Sequence, residues 1–193
     1  SDVAPTAIAL HRRLSDENGI ASFSIPAPDQ AGAYLLRLQV GSSVKTVSFF
    51  VGRIGLYVWT PELTAGSDST QYRIQLFDEN DQHISGDVPI LVSTTIGTLE
   101  RGGTEFTAVI HDGVYTGRLY AGTVAGKGFL RVGDTRRFAK VLPGPASAIR
   151  LDNGQDGIYS DELASYFTFD VSVADEFGNA VADGAVVNLT SSA

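Results

Sequence analysis

The chain repeats itself with a period near 96 residues, and that self-similarity limits the folds open to it. Tyr72, Ile74, Leu76, Asp78 and Glu79 fall without a gap on Phe169, Val171, Val173, Asp175 and Glu176, an offset of 97. Ile84, Ile90 and Val92 fall on Val181, Val187 and Leu189 at the same offset. A second correspondence, at an offset of 94, joins the start of the chain to its middle. It places Asn18-Gly19-Ile20 on Asp112-Gly113-Val114, Ala31-Gly32 on Ala125-Gly126, and Leu36-Arg37 on Leu130-Arg131. A fixed period of this kind is the mark of an array of like modules. Residues 53–142 read as one whole module, 143–193 as the first half of another, and 1–52 as the second half of another. The equivalent cut at both ends reads as a segment of a longer array. A half-module with an open apolar face and unpaired edges is not expected to be stable alone. The halves are therefore expected to complete each other, within one molecule or between neighbours.

Hydrophobic alternation with period two is the signal of half-buried strands. Tyr72, Ile74 and Leu76 share one face, with Arg73 and Gln75 on the other. Val88, Ile90 and Val92 repeat the pattern, as do Leu36, Leu38 and Val40, and Phe167, Phe169, Val171 and Val173. Turn signals separate these runs: Asp78-Glu79-Asn80-Asp81, Gly102-Gly103, His111-Asp112-Gly113 and Phe177-Gly178-Asn179. Short strands divided by such turns predict an all-β chain built as an antiparallel β-sandwich. No helical apolar stripe exceeds two turns. Pro143-Gly144-Pro145 separates the middle module from the last and is too short for a flexible tether, which predicts a semi-rigid rod.

Charge and composition narrow the function classes. A net charge of −8 disfavours nucleic-acid binding, which needs a basic face. The densest basic cluster, Arg131, Arg136, Arg137 and Lys140, reads as a solvated hairpin. No run of about 20 apolar residues is present, so no segment is expected to insert in a membrane as a helix. With no cysteine there is no disulfide, redox pair or thiolate metal site.

The segment from Val173 to Thr190 carries a Val-rich strand, Asp175-Glu176-Phe177-Gly178-Asn179, an apolar pair around a second turn at Gly184, and another Val-rich strand. It resembles the strand-turn-strand signature of bacterial immunoglobulin-like (Ig-like) repeats of the invasin and intimin type. Ser15-Asp16-Glu17-Asn18-Gly19-Ile20-Ala21 and Ala31-Gly32-Ala33-Tyr34 resemble the second half of that repeat, as do Ala125-Gly126-Lys127-Gly128 and Gly97-Thr98-Leu99. In the turn, Gly178 and Asn179 suit positive φ and Asp175 suits acceptance of backbone hydrogen bonds. The middle turn, Asp78-Glu79-Asn80-Asp81-Gln82, departs by lacking the Gly-Asn pair, and the last module carries extra residues at 152–157. Macroglobulin-like modules share parts of the pattern. The resemblance implies tandem Ig-like antiparallel β-sandwich modules on a bacterial cell surface or in a secreted protein.

Motifs for chemistry are incomplete. Gly122-Thr123-Val124-Ala125-Gly126-Lys127-Gly128 is one residue short of a phosphate loop, has Gly128 where Ser or Thr would meet magnesium, and falls in a predicted β-hairpin. Asp152-Asn153-Gly154-Gln155-Asp156-Gly157 fails as an EF-hand, with Leu163 at the position of the bidentate Glu. A looser calcium site is open at Asp152, Asp156, Asp161 and Glu162, where an ion would bridge modules and stiffen the rod. His11, His83 and His111 are too scattered to predict zinc. Tyr57 and Trp59 could hold a sugar ring if exposed, but burial at a strand start or module junction is the expectation. No catalytic constellation is seen, so the chain is not expected to be an enzyme.

These readings converge on a structural or adhesive spacer whose partners are neighbouring Ig-like modules. Two alternatives stand beside it. One is a carbohydrate-binding or accessory β-sandwich of a secreted enzyme. The other is a fibre subunit that self-associates head to tail by strand complementation.

Overall fold

Alternating apolar residues become strands here, and the turns fall where Gly, Asn and Asp cluster. The structure is a computed structural model that describes residues 13–151 and 170–190. The described residues form thirteen β-strands and no helix. They are β1 (Gly32–Val40), β2 (Ser43–Val51), β3 (Arg53–Val58), β4 (Glu62–Thr64), β5 (Ser69–Phe77), β6 (Asp87–Thr94), β7 (Thr98–Leu99), β8 (Glu105–His111), β9 (Val114–Tyr120), β10 (Gly126–Val132), β11 (Thr135–Leu142), β12 (Ala148–Leu151) and β13 (Val171–Ala174).

Nine strands, β3 to β11, make one curled sheet in the order β3-β5-β9-β8-β6-β10-β11-β4, with β7 paired to β9. The pairing is narrowest between β8 and β9, which share one pair, His111 with Val114. The turn between them has positive φ at both central residues, Asp112 (45°) and Gly113 (75°), as a tight hairpin requires. Another crossing follows β3. That strand pairs antiparallel with β5, yet a few residues later β4 pairs parallel with β11, across the fold.

The two sides of the curl enclose one core. Leu56, Tyr72, Ile74, Leu76 and Leu119 come from β3, β5 and β9, and meet Val88, Ile90, Val92, Ile110, Leu130, Val132 and Val141 from β6, β8, β10 and β11. The alternation in β5 is complete: Tyr72, Ile74 and Leu76 are each 0% exposed. Each such aliphatic side chain contributes about 1.5–3 kcal/mol by leaving water. Every buried hydrophobic residue among those described lies between Leu56 and Val141.

One polar knot is built into this core's edge. Glu100 accepts hydrogen bonds from the Tyr72 hydroxyl (3.1 Å), the Tyr115 hydroxyl and the Arg118 backbone N–H (3.1 Å). It ties the segment after β7 to β5 and β9. Burial, together with this carboxylate, raises the Tyr72 phenol far above its ordinary range, and burial first pushes Tyr115 up to about 12.

The end segments are different. β1 and β2 form their own two-stranded sheet, as do β12 and β13, and no described strand of one pairs with a strand of the other. The face expected from Leu36, Leu38 and Val40 is not a core face: Leu36 is half-buried and Val40 is 83% exposed. The described residues cover it only in part. The strand expected after Gly184 is also not formed. Among the described residues, 185–190 have no ladder partner, and Val186 and Leu189 are exposed.

Candidate functional site: a joint at the end of the central sheet

A five-residue Asp turn occurs three times. At 175–179, the Asp175 N–H donates to the Asn179 carbonyl (2.9 Å), and the Phe177 and Asn179 N–H groups donate to Asp175 Oδ1 (both 2.9 Å). At 78–82, Asn80 and Gln82 do the same to Asp78 Oδ1 (2.9 and 2.8 Å). At 16–20, Asn18 and Ile20 do so to Asp16 Oδ1 (2.9 and 2.8 Å). The fourth residue has positive φ in each case: Gly178 (83°), Asp81 (60°) and Gly19 (76°). Asp tolerates that region less readily than Gly. Asn179 was expected to share the positive φ and does not; its role is in its side chain.

That side chain closes a joint. Asn179 Oδ1 accepts from the Ala125 N–H (2.9 Å), while Nδ2 donates to the Thr123 carbonyl (2.8 Å) and to Asp175 Oδ2 (2.8 Å). Asp175 Oδ2 also accepts from the Gly144 N–H (2.8 Å). The turn is thereby tied to the β9–β10 connection and to the Pro143-Gly144-Pro145 link together. Phe177 supplies the apolar contact: its ring lies against Gly66, where φ is 77° and there is no room for a Cβ. Gly66 is in turn held by donation from its N–H to the Gly122 carbonyl (2.6 Å).

Asp175 is 2% exposed. Burial alone would raise its carboxyl. The hydrogen bonds from the Asn179 side chain and from the Gly144, Asn179 and Phe177 backbones outweigh that and lower it to about 2. The group is therefore a buried, fully engaged carboxylate with an orienting rather than a proton-transferring role.

The other sequence candidates are placed as follows. The string 122–128 is not a hairpin: residues 121–125 cross from β9 to β10, which do not pair, and they receive Asn179. Of the basic cluster, Arg137 Nε donates to the Leu56 carbonyl (2.8 Å), Arg131 lies 3.6 Å from Asp134 and Lys140 3.7 Å from Glu62. Asp152, Asp156, Asp161 and Glu162, the calcium candidates, lie outside the described residues, as does His11. His83 contacts Gln75 and His111 contacts Asp87, in separate places. Among the described residues, no group of three or more His, Cys, Asp or Glu is placed to hold a metal ion. Tyr57 and Trp59 are not buried: they are 50% and 58% exposed, because both point away from Leu56 and the core.

No family model matches the chain, and no curated protein matches it. Among solved structures it is similar to the Yersinia pseudotuberculosis adhesin InvE, with 28% identity over 52% of this chain and a TM-score of 0.42. It is also similar to the S-layer protein SbsC, with 17% identity over 81% of this chain and a TM-score of 0.30. A structure of SbsC domains 4–9 matches with 15% identity over 79% and a TM-score of 0.30. The chain spans 29%, 21% and 25% of those three chains.

Proposed function

We propose that this chain is a non-catalytic structural or adhesive segment of a bacterial cell-surface or secreted protein. In this reading it is built from tandem Ig-like β-sandwich modules of the invasin and intimin type and works as a semi-rigid spacer. The observation that supports it most directly is the joint: Asn179 and Asp175 bind the β9–β10 connection and the inter-module link through three hydrogen bonds of 2.8–2.9 Å, a fourth holds Asn179 to Asp175, and Phe177 packs on Gly66. A spacer needs such a joint, since a free link would let modules swivel. Two further features support the tandem reading. The bridge Phe77–His83 recurs as Ala174–Ala180, and the bond from the Ile84 N–H to the Leu76 carbonyl recurs from Val181 to Val173, both 97 positions on. The curled sheet supports the sandwich reading, with β3, β5 and β9 as one layer and β6, β8, β10 and β11 as the other. In that frame β8 belongs to the layer of β6, with which it pairs from Asp87–His111 to Ser93–Glu105, and touches β9 only at His111–Val114.

The chain has no cysteine, so paired spin labels can be placed cleanly at Glu105→Cys on β8 and Asp183→Cys beyond the joint. A narrow interlabel distance distribution that broadens in Asn179→Ala is the expected result. An equally broad distribution in both proteins would sink the rigid-spacer reading.

Head-to-tail self-association is a second reading, favoured by the exposed apolar residues Leu38, Val40 and Val44 on the first hairpin and Val186 and Leu189 on the last segment. A light-scattering mass that stays at 20.4 kDa at every concentration would discard it.

A further inference from the structure

The outer face of β3 and β5 carries a second feature that the spacer reading does not use. Leu56 points inward, so Tyr57 and Trp59 share the outward side, two residues apart, with the Trp59 N–H donating to the Gln71 carbonyl (3.2 Å) to keep them in register. Across the pairing, Arg73 lies beside Tyr57 and Gln75 beside Gly55. Gly55 has no side chain, and a Cβ there would lie only 3.2 Å from the Tyr57 ring. The result is a shallow cleft of about 470 Å³ lined by Tyr57, Val58, Trp59, Arg73 and Gln75.

Arg73 gives the cleft its chemistry. Its Nε is buried and has no hydrogen-bond partner. No carboxylate among the described residues lies within ion-pair distance of it, although the chain has 22 acidic residues against 14 basic ones. A guanidinium without a carboxylate partner can give charge-assisted hydrogen bonds from its terminal nitrogens to an incoming anion. The two exposed rings offer flat apolar area of the kind that receives the C–H face of a pyranose. Gln75 Nε2 donates to His83 Nε2 (3.1 Å), leaving the Gln75 Oε1 free to accept from a hydroxyl.

We propose that this cleft binds a carboxylate-bearing pyranose, a hexuronate unit of an acidic polysaccharide. The ring stacks on Tyr57 and Trp59, and the carboxylate takes the Arg73 fork. The site is independent of the joint, so Asn179→Ala leaves it intact and the two ideas fail separately.

Trp59 is the chain's single tryptophan, so its fluorescence reports the cleft directly. Trigalacturonate is titrated into the protein, alongside the same trisaccharide with its carboxylates methyl-esterified. A saturable change with trigalacturonate at a Kd of about 0.1–1 mM is expected, weakened at least about tenfold by esterification and by Arg73→Gln. The esterified sugar tests the charge in the unaltered protein, so the test stands even if Arg73→Gln folds poorly. No saturable change up to about 10 mM, or an equal response to the ester, would overturn the proposal.

Discussion

Two carboxylates, Glu100 and Asp175, show how one functional group is put to different structural ends. Glu100 gathers two phenols and a backbone N–H at the edge of the core. Tyr115→Phe removes one bond to that charged group, so a loss of about 1.5–3 kcal/mol in denaturant unfolding is expected, with the slope unchanged. Asp175 instead sits at the joint with its carboxyl lowered to about 2. Since the folded value lies below the ordinary one near 3.9, its contribution is fully present above about pH 4 and is lost as pH falls toward about 2. Spin-label distances across the joint should therefore stay narrow at pH 5 and broaden between about pH 4 and 2. Asp175→Asn should broaden them at neutral pH and remove that acid transition. Acceptance of backbone bonds by Asp175 was legible from the Asp-x-x-Gly-Asn spacing. The Asn179 clamp was not, because its partners Thr123 and Ala125 lie more than 50 residues away in sequence.

At the scale of the element, the Asp turn is a self-contained unit: one carboxylate oxygen replaces the strand ladder that the turn interrupts. Asp78→Ala should cost about 1–2 kcal/mol, whereas Asp78→Asn, which keeps an oxygen acceptor, should cost less than half as much. Equal losses in thermal or denaturant unfolding would mean that charge, not the two N–H bonds, matters there. Strand faces in the central region were readable, since Tyr72, Ile74, Leu76, Val88, Ile90 and Val92 are all buried as their alternation implies. The same alternation misled at Leu36, Leu38 and Val40. Period two tells which residues share a side; it does not supply the second layer that buries it. Tyr57 and Trp59 were misjudged for a related reason, because aromatic residues go inward only when the face they share is covered.

For the whole molecule, stability should follow the distribution of the core. All the buried hydrophobic residues described fall within Leu56–Val141, while β1 and β2 keep Leu35 and Val40 largely exposed. In native-state hydrogen exchange, amides of β5, β6, β9 and β10 should open only with global unfolding. Amides of β1, β2 and residues 185–190 should exchange through small local openings. Protection of β1 and β2 equal to that of β5 would show that another segment covers them, and would favour completion of the first hairpin by a partner half-module.

The sequence by itself determined the strand class, the turns at 78–82, 111–113 and 175–179, and the inward faces of β5 and β6. Those properties are local: alternation and turn chemistry act over two to five residues, and they hold whatever the neighbours are. Only the tertiary structure decided which strands lie side by side and that β4 crosses to β11. It also decided that the β9–β10 connection receives Asn179 and that Arg73 is left unpaired beside two exposed rings. Each of these depends on where distant segments meet, and a one-dimensional pattern has no term for that.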